Sequence, residues 1–212
     1  MGMALPPWLQ SCAFHGRQLL GLLKRVVFPK PLTKDAATRL HLGCGPIDSP
    51  GFTNIDGVDR AHVHFVQSIT DLSRFPSSSV DFVYTSHTLE HFPRAQTQAI
   101  LEEWHRVLAP GGKLCVSVPD FDRILEMYDT NGKDLCGVLD PLFGGQDYPF
   151  NFHHTVFNRD SLTQAFLQAG FSKVHPWTHG SDALHSLPDW SGRSVNVNGK
   201  LIPISLNLEA IK

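Results

Sequence analysis

Short apolar runs alternate with longer amphipathic stretches from Thr38 to the end of the chain. The runs end at turn residues, which is typical of β-strands. Strands are predicted at residues 39–42, 52–56, 62–66, 80–84, 113–118, 171–177 and 204–211. Helical spacing of apolar residues predicts amphipathic helices at 94–108 and 161–169, and Asn198-Gly199 predicts a tight turn before the last strand. Because strands that alternate with helices form parallel sheets covered on both faces, the pattern predicts an α/β domain with ligands beyond the carboxyl ends of its strands.

The N-terminal 34 residues have a different pattern from the rest. They contain no acidic residue and five basic ones, Arg17, Lys24, Arg25, Lys30 and Lys34. Apolar residues recur at helical spacing over residues 8–28, which predicts a basic amphipathic helix. Because charges interrupt and follow the apolar run, the segment matches neither a secretory signal nor a membrane span. Two roles stay open: a helix that covers part of the domain, or peripheral contact with a membrane surface.

The composition restricts the class of protein. A length of 212 residues suits one domain with an appendage, here divided into a helical extension at 1–34 and a domain at 35–212. The net charge of −2 disfavours a nucleic-acid partner. The four cysteines are Cys12, Cys44, Cys115 and Cys136. They form no CxxC pair and no small-domain disulfide framework, so a reducing, cytoplasmic setting is predicted.

A glycine turn follows the first predicted strand. Gly43 and Gly45 carry no side chain, so the backbone there can approach a ligand closely. Asp56, at the end of the next strand, is placed to accept hydrogen bonds from a ribose diol. The dinucleotide fingerprint requires a third glycine, where this chain has Asp48, and a helix that holds the pyrophosphate. Too few residues separate the turn from the second strand for that helix. A nucleoside ligand without a diphosphate is therefore favoured over the cofactor of a nucleotide-dependent oxidoreductase.

Six short motifs follow one another between residues 41 and 120. They are HLGCG at 41–45, NID at 54–56, DL at 71–72, SVDFVYTSHTLEHF at 79–92, RVLAPGG at 106–112 and VSVPD at 116–120. In this order they resemble class I S-adenosylmethionine-dependent methyltransferases, and more narrowly a small bacterial subgroup of type 11-like predicted methyltransferases. The resemblance covers roughly residues 38–212. It implies a Rossmann-like, seven-stranded, mostly parallel sheet with helices on both faces, an antiparallel last strand, and a shortened or missing helix after the first strand.

The resemblance also implies S-adenosylmethionine as the cofactor and assigns residues to it. The predicted cofactor-binding residues are Gly43, Cys44, Gly45, Asp56, Asp71, Leu72, Ser86 and His87. The glycine turn would pass beneath the methionine part, and Asp56 would hold the ribose hydroxyls. Asp71 with Leu72 would meet the adenine edge, while Ser86 with His87 would line the sulfonium end.

Methyl transfer from a sulfonium is a direct displacement, so alignment of the reacting atoms matters most and a general base is optional. For a hydroxyl or amine acceptor, the candidate bases are His87, Asp120, His153 and His154. Residues 121–152 mix aromatic and acidic side chains, which suits a small polar acceptor or a sugar, although an ordinary surface insertion is equally compatible. The alternative is a non-catalytic module that binds the cofactor or serves as a scaffold. The identity of the acceptor and the oligomeric state cannot be predicted from these residues.

The segment at residues 87–91, HTLEH, also fits the H-x-x-E-H pattern of zinc peptidases, which would make the chain a hydrolase. That pattern requires a helix and a downstream acidic ligand, whereas here it follows a strong β run. The sequence therefore predicts no metal. Glu90 and His91 are expected to open a helix, where an acid suits the positive end of the dipole.

Overall fold

A seven-stranded sheet forms the centre of the computed structural model, which describes residues 38–212. The strands, in chain order, are β1 Arg39–Leu42, β2 Thr53–Asp56, β3 Phe65–Val66, β4 Val80–Ser86, β5 Leu108–Pro119, β6 Lys173–Pro176, β7 Ser194–Val197, β8 Lys200–Pro203 and β9 Ser205–Ile211. The sheet has the order β3-β2-β1-β4-β5-β9-β6. β9 runs antiparallel to both neighbours, and the other adjacent pairs are parallel. This confirms the predicted fold class.

Within residues 38–212, four α-helices accompany the sheet. They are α1 Thr97–Val107, α2 Phe121–Thr130, α3 Leu139–Phe143 and α4 Arg159–Gln168. α4 begins after Asn158 because that side chain accepts the N–H of Ser161, whose hydroxyl accepts the N–H of Asn158 in return, both at 3.0 Å. None of the helices within residues 38–212 combines the length and apolar character needed to cross a bilayer. The N-terminal extension, with its predicted amphipathic helix at 8–28, lies outside the described residues.

The two faces of the sheet are covered differently. α1 buries one apolar face, made of Ile100, Leu101, Trp104 and Val107, in the larger core cluster. The indole N–H of Trp104 donates to the carbonyl of Ile69 at 3.0 Å, so the polar group of this buried side chain has a hydrogen-bond partner in the core. The opposite face carries a mainly aromatic cluster of Phe52, Phe82, Tyr84, Cys115, Trp177 and Leu187. An irregular segment after β6 supplies the last two of these and thus packs against the sheet.

Several boundaries differ from the predicted ones. Residues 43–52 form turns and bends without a helix, as expected. β3 is only two residues long, and β7 and β8 form a separate hairpin around Asn198-Gly199, where φ is positive at both residues. The expectation that Glu90 and His91 open an α-helix is wrong. Leu89–His91 is a single 3-10 turn, and Pro93, in an extended conformation, separates it from the 3-10 turn Arg94–Gln96. Glu90 therefore has no α-helix dipole beside it.

Candidate active site

A cavity of about 920 Å³ lies beyond the carboxyl ends of β1, β2, β4 and β5. This is where parallel sheets bind ligands, because the loops that leave these strand ends converge there. The volume is near the upper end of the range for small-molecule sites, roughly 300–1,000 Å³. The cavity therefore has the place and size of a ligand site.

The glycine turn after β1 forms one wall of the cavity. Gly43 has a φ of 63°, and a side chain at this position would collide with Thr88. Gly45 has a φ of 54° and open space around its Cα, so the backbone faces the cavity. Cys44 also lines the cavity, and burial raises the pKa of its thiol, which keeps it protonated. The turn thus offers close backbone approach rather than a reactive side chain.

Asp56 connects the turn to the loop after β2. Its carboxylate accepts the N–H of Gly45 at 2.7 Å and the N–H of Val58 at 2.7 Å, and Arg60 Nη1 lies 3.3 Å from it. The carboxylate is mostly buried and lines the cavity. Because each carboxylate oxygen has two acceptor sites, capacity for a ligand hydroxyl remains after these bonds. The geometry therefore fits a role in holding a ribose.

The structure places Asp71 and Leu72 away from the cavity lining. Asp71 is exposed and accepts the N–H of Ser73 at 2.9 Å, and hydrogen bonds from Ser73 lower the pKa of its carboxyl. Leu72 is buried in the core. The wall on this side is formed by residues 67–69. Assignment of Asp71 and Leu72 to the adenine edge stays a prediction.

His87 lies at the end of β4 beside Ser86, and both line the cavity. Its φ of 49° is uncommon for a residue with a side chain, and the bond from its N–H to the Ser117 carbonyl at 2.8 Å helps hold it. The Ser205 hydroxyl donates to the Trp190 carbonyl, so the Nε2–H of His87, 2.8 Å from that hydroxyl, must be the donor to it. This leaves a lone pair on Nδ1. Burial lowers the pKa of His87 to about 3, so the ring is neutral near pH 7.

Glu90 lies directly behind this wall. Its side chain is 1% exposed, and neither oxygen has a hydrogen-bond partner among the described residues. The closest basic atoms are Nδ1 of His87, 3.6 Å from Oε1, and Nε2 of His153, 4.0 Å from Oε1. Burial raises the pKa of Glu90 to about 8, and the nearby backbone N–H groups of Glu90 and Thr88 oppose this rise only in part. Glu90 was expected at the start of a helix, and no sequence pattern indicated that it would be buried behind the cavity.

His91 and His153 complete a group of imidazoles around Glu90. Their ring centroids are 4.8 Å apart, and both residues line the cavity. Nδ1 of His91 lies 3.1 Å from the Phe152 carbonyl, and Nδ1 of His153 lies 2.9 Å from the Pro141 carbonyl. A carbonyl only accepts, so each Nδ1 carries the proton and each Nε2 keeps a lone pair. Burial lowers both pKa values, that of His91 to about 4.

The other two candidate bases lie elsewhere. Asp120 caps α2 by accepting the N–H of Asp122 at 3.1 Å, and burial raises its pKa. His154 is exposed, and its backbone N–H donates to the Glu90 carbonyl at 2.8 Å. Of the four predicted bases, the structure brings only His87 and His153 to the cavity. Roles for Asp120 and His154 stay predictions.

Aromatic side chains form the outer wall. Tyr148 and Phe150, from the predicted acceptor segment, line the cavity. Trp190 and Arg193 line it as well, and the guanidinium of Arg193 lies 4.5 Å from the Trp190 ring centroid. Sequence analysis missed these two because they belong to an irregular segment after β6. The one indication of this position in the sequence was a tryptophan in a stretch for which no strand, helix or function was predicted.

Comparison with known proteins gives one family match. Residues 52–116, which include β2, β4, α1 and most of β5, match the family model described as a methyltransferase domain. A search of curated protein sequences found no significant match. The matched stretch is therefore the sequence-level link to a family.

Solved structures share the fold over nearly the whole chain. A S-adenosylmethionine-dependent methyltransferase from Archaeoglobus fulgidus is 17% identical with a TM-score of 0.54, over 97% of this chain and 99% of that one. A second such methyltransferase, from Methanosarcina mazei, is 17% identical with a TM-score of 0.51, over 85% and 94%. The Burkholderia thailandensis 1,6-didemethyltoxoflavin-N1-methyltransferase, solved with 1,6-didemethyltoxoflavin and S-adenosylhomocysteine, is 15% identical with a TM-score of 0.50, over 100% and 92%. At these identities the likeness shows the fold.

Proposed function

We propose that this chain transfers a methyl group to a small, polar acceptor that enters the same cavity as the cofactor. The fold and the match to the methyltransferase-domain model confirm the prediction of a class I S-adenosylmethionine-dependent methyltransferase. The acceptor loses a proton to a neutral histidine as the bond to the methyl carbon forms and the carbon–sulfur bond breaks.

A single observation carries this proposal: one cavity contains the glycine turn, Asp56, His87 and His153. In a direct displacement the nucleophile, methyl carbon and sulfur must lie in line, so cofactor and acceptor have to share one enclosed space. The cofactor supplies an electrophilic methyl group on its sulfonium. The glycine turn and Asp56 fit its amino-acid and ribose parts, because the turn leaves the backbone uncovered and Asp56 keeps acceptor capacity.

The acceptor side of the cavity combines flat aromatic surfaces with neutral bases. Tyr148, Phe150 and Trp190 can cover a ring or a sugar face, as aromatic side chains do in ligand sites. His87 and His153 are neutral near pH 7 because burial lowers their pKa values, so each has a lone pair that can take a proton. Such a wall suits an acceptor with a hydroxyl or amine group.

The test is acceptor-dependent release of S-adenosylhomocysteine from a panel of sugars, amines and small hydroxy acids. We expect release with at least one member, and a larger fall in kcat than in cofactor affinity for His87→Ala and His153→Ala. His105→Ala, a partly buried histidine away from the cavity, is the matched control and should keep its turnover. Cofactor binding without release for any acceptor would contradict the proposal and favour the non-catalytic module.

A further inference from the structure

Three potential metal ligands come together behind the cavity wall. Ligand atoms of Glu90, His91 and His153 all lie within 4.8 Å of one another. The first two come from the 3-10 turn after β4, and the third comes from the segment between α3 and α4. Two of these ligands belong to the H-x-x-E-H segment, and the fold adds His153 from a distant part of the chain. In a zinc peptidase the additional ligand would be a downstream acidic residue.

The carboxyl group of Glu90 lacks what a buried acid normally has. Buried polar atoms in folded proteins nearly always have a hydrogen-bond partner, yet neither oxygen of Glu90 has one among residues 38–212. The nearest imidazole nitrogens, Nδ1 of His87 and Nε2 of His153, lie 3.6 Å and 4.0 Å from Oε1, which is too far for a hydrogen bond. A cation held between Glu90 and the two histidines would give this buried carboxyl group a partner.

The two histidines already have the outer hydrogen bonds typical of metal ligands. A metal-bound imidazole usually donates its other N–H to a carbonyl or carboxylate, which fixes the ring and its tautomer. His91 and His153 do this through Nδ1, toward the carbonyls of Phe152 and Pro141. Each Nε2 is left with its lone pair, and that of His153 lies 4.0 Å from Glu90 Oε1.

We propose that Glu90, His91 and His153 bind a divalent transition-metal ion at the inner end of the cavity. Two imidazole nitrogens and one carboxylate favour ions such as Zn²⁺, Mn²⁺, Fe²⁺ or Co²⁺ over Mg²⁺ and Ca²⁺, which prefer oxygen ligands. Bonds to such an ion are about 2.0–2.2 Å long. The three ligand atoms, which lie within 4.8 Å of one another, therefore have to move closer together when the ion binds. This proposal departs from the sequence-based expectation that the chain binds no metal.

A role in methyl transfer follows from the position of the site, and this part rests on the proposed function. His91 and His153 line the cavity, so an ion held by them would be accessible to an acceptor. An acceptor oxygen bound to that ion would have a lowered pKa and would be held in place beside the cofactor. With His153 bound to the ion, the released proton passes to Nδ1 of His87, as the oxygen–methyl bond forms and the carbon–sulfur bond breaks.

The test uses the untagged full chain after removal of metal with a chelator. Calorimetric titration with Zn²⁺, Co²⁺ and Mg²⁺ should give one Zn²⁺ or Co²⁺ per chain and much weaker Mg²⁺ binding. Glu90→Gln keeps the size of the side chain, and this variant and His153→Asn should each lower Co²⁺ affinity at least tenfold. His154→Asn, a change in an exposed neighbour, should leave that affinity unchanged.

The spectrum of bound Co²⁺ distinguishes the site from the cysteines. Cobalt held by nitrogen and oxygen shows visible d–d bands without the near-ultraviolet charge-transfer band that a thiolate such as exposed Cys136 would add. No stoichiometric binding, a thiolate band, or affinity unchanged in both variants would overturn the proposal. S-adenosylhomocysteine binding in the same samples separates the two proposals: if it persists while metal binding is absent, the metal site alone fails.

Discussion

Two histidine–carboxylate clusters in this molecule have similar composition and opposite character. In the first, Glu90 lies among His87, His91 and His153 with no hydrogen bond to either oxygen within the described chain. In the second, Cys115 Sγ, His185 Nε2 and Glu209 Oε2 lie within 3.4 Å of one another. The two carboxylates are equally buried, 1% and 2% exposed. What separates the clusters is whether a positive charge reaches the acid.

The second cluster supplies its own cation. Lys113 Nζ lies 3.1 Å from Glu209 Oε1, and His175 Nε2 lies 3.0 Å from the same oxygen. Burial alone would raise the pKa of Glu209, but hydrogen bonds from Lys113 and Cys115 outweigh it, so that pKa is lowered. Register explains the arrangement, because Glu209 on β9 is directly opposite Cys115 on β5 and His175 on β6. This cluster is complete without a ligand, whereas the Glu90 cluster is incomplete.

The largest expected effect is on stability, when the complete cluster is broken. Glu209→Met leaves Lys113 and the buried thiol of Cys115 without their acceptor. We expect a loss of about 2–3 kcal/mol in the free energy of unfolding, at or below the low end for broken buried pairs because Lys113 is 47% exposed. Urea unfolding followed by circular dichroism measures it. If Glu209→Met lowers the free energy of unfolding no more than a substitution at an exposed position does, the Glu209 cluster does not stabilise the fold and does not differ from the Glu90 cluster in this respect.

The opposite sign is expected at the incomplete cluster. Glu90→Met in metal-stripped protein removes a buried carboxyl that has no hydrogen-bond partner among residues 38–212, so the free energy of unfolding should rise by about 1 kcal/mol. Glu102→Met, on the exposed side of α1, is the control and should change it by less than about 0.5 kcal/mol. A marked destabilisation by Glu90→Met without metal would show that the acid has a structural partner.

The pH dependence of the Glu209 effect provides a third comparison. A depressed pKa in the folded protein means that the stabilisation is present above the unfolded value, 4.5, and is lost as the pH falls through the folded value. The difference in unfolding free energy between the wild type and Glu209→Met should therefore be constant near neutrality and shrink below about pH 4. Urea midpoints measured from pH 3 to pH 7 check this. A difference that stays constant down to pH 3 would mean that the charge of Glu209 contributes nothing.

The smallest expected effect concerns metal at the complete cluster. Because Lys113 and His175 already occupy Glu209, Cys115→Ser should leave the affinity for Co²⁺ unchanged. The same calorimetric titration as for Glu90→Gln measures it. If Cys115→Ser lowers the affinity for Co²⁺ and removes a thiolate band, the metal binds at the Glu209 cluster and not at the Glu90 cluster.

Local spacing was enough to predict strands of the sheet and the glycine turn that forms one wall of the cavity. The apolar runs at 39–42 and 80–84 and the Gly43–Gly45 turn are features of neighbouring residues, and Asp56 follows from the end of the next strand. The H-x-x-E-H segment was predicted to bind no metal. The metal site proposed there depends on His153, which only the fold brings to within 4.0 Å of Glu90.

Part of the outer wall of the cavity could not be predicted, for a related reason. Trp190 and Arg193 reach the cavity through an irregular segment with no periodicity to place it. Asp71 matched a motif, yet its side chain closes an exposed turn with Ser73. The absence of a hydrogen-bond partner for Glu90 within the described residues is a property of the packed interior, which no residue spacing encodes.

We expect the methyl donor to bind in the cavity at the glycine turn. Calorimetric titration of the full chain with S-adenosylmethionine, S-adenosylhomocysteine and NAD is the most direct test. One molecule of either sulfur compound should bind per chain, and NAD should not bind. Asp56→Asn should weaken binding of both sulfur compounds roughly tenfold or more, since hydrogen bonds to a charged group contribute about 1.5–3 kcal/mol. Asp129→Asn, in an exposed position on α2, should not. Failure to bind either sulfur compound, or binding by Asp56→Asn as tight as that of the wild type, would show that this cavity is not the site of the methyl donor.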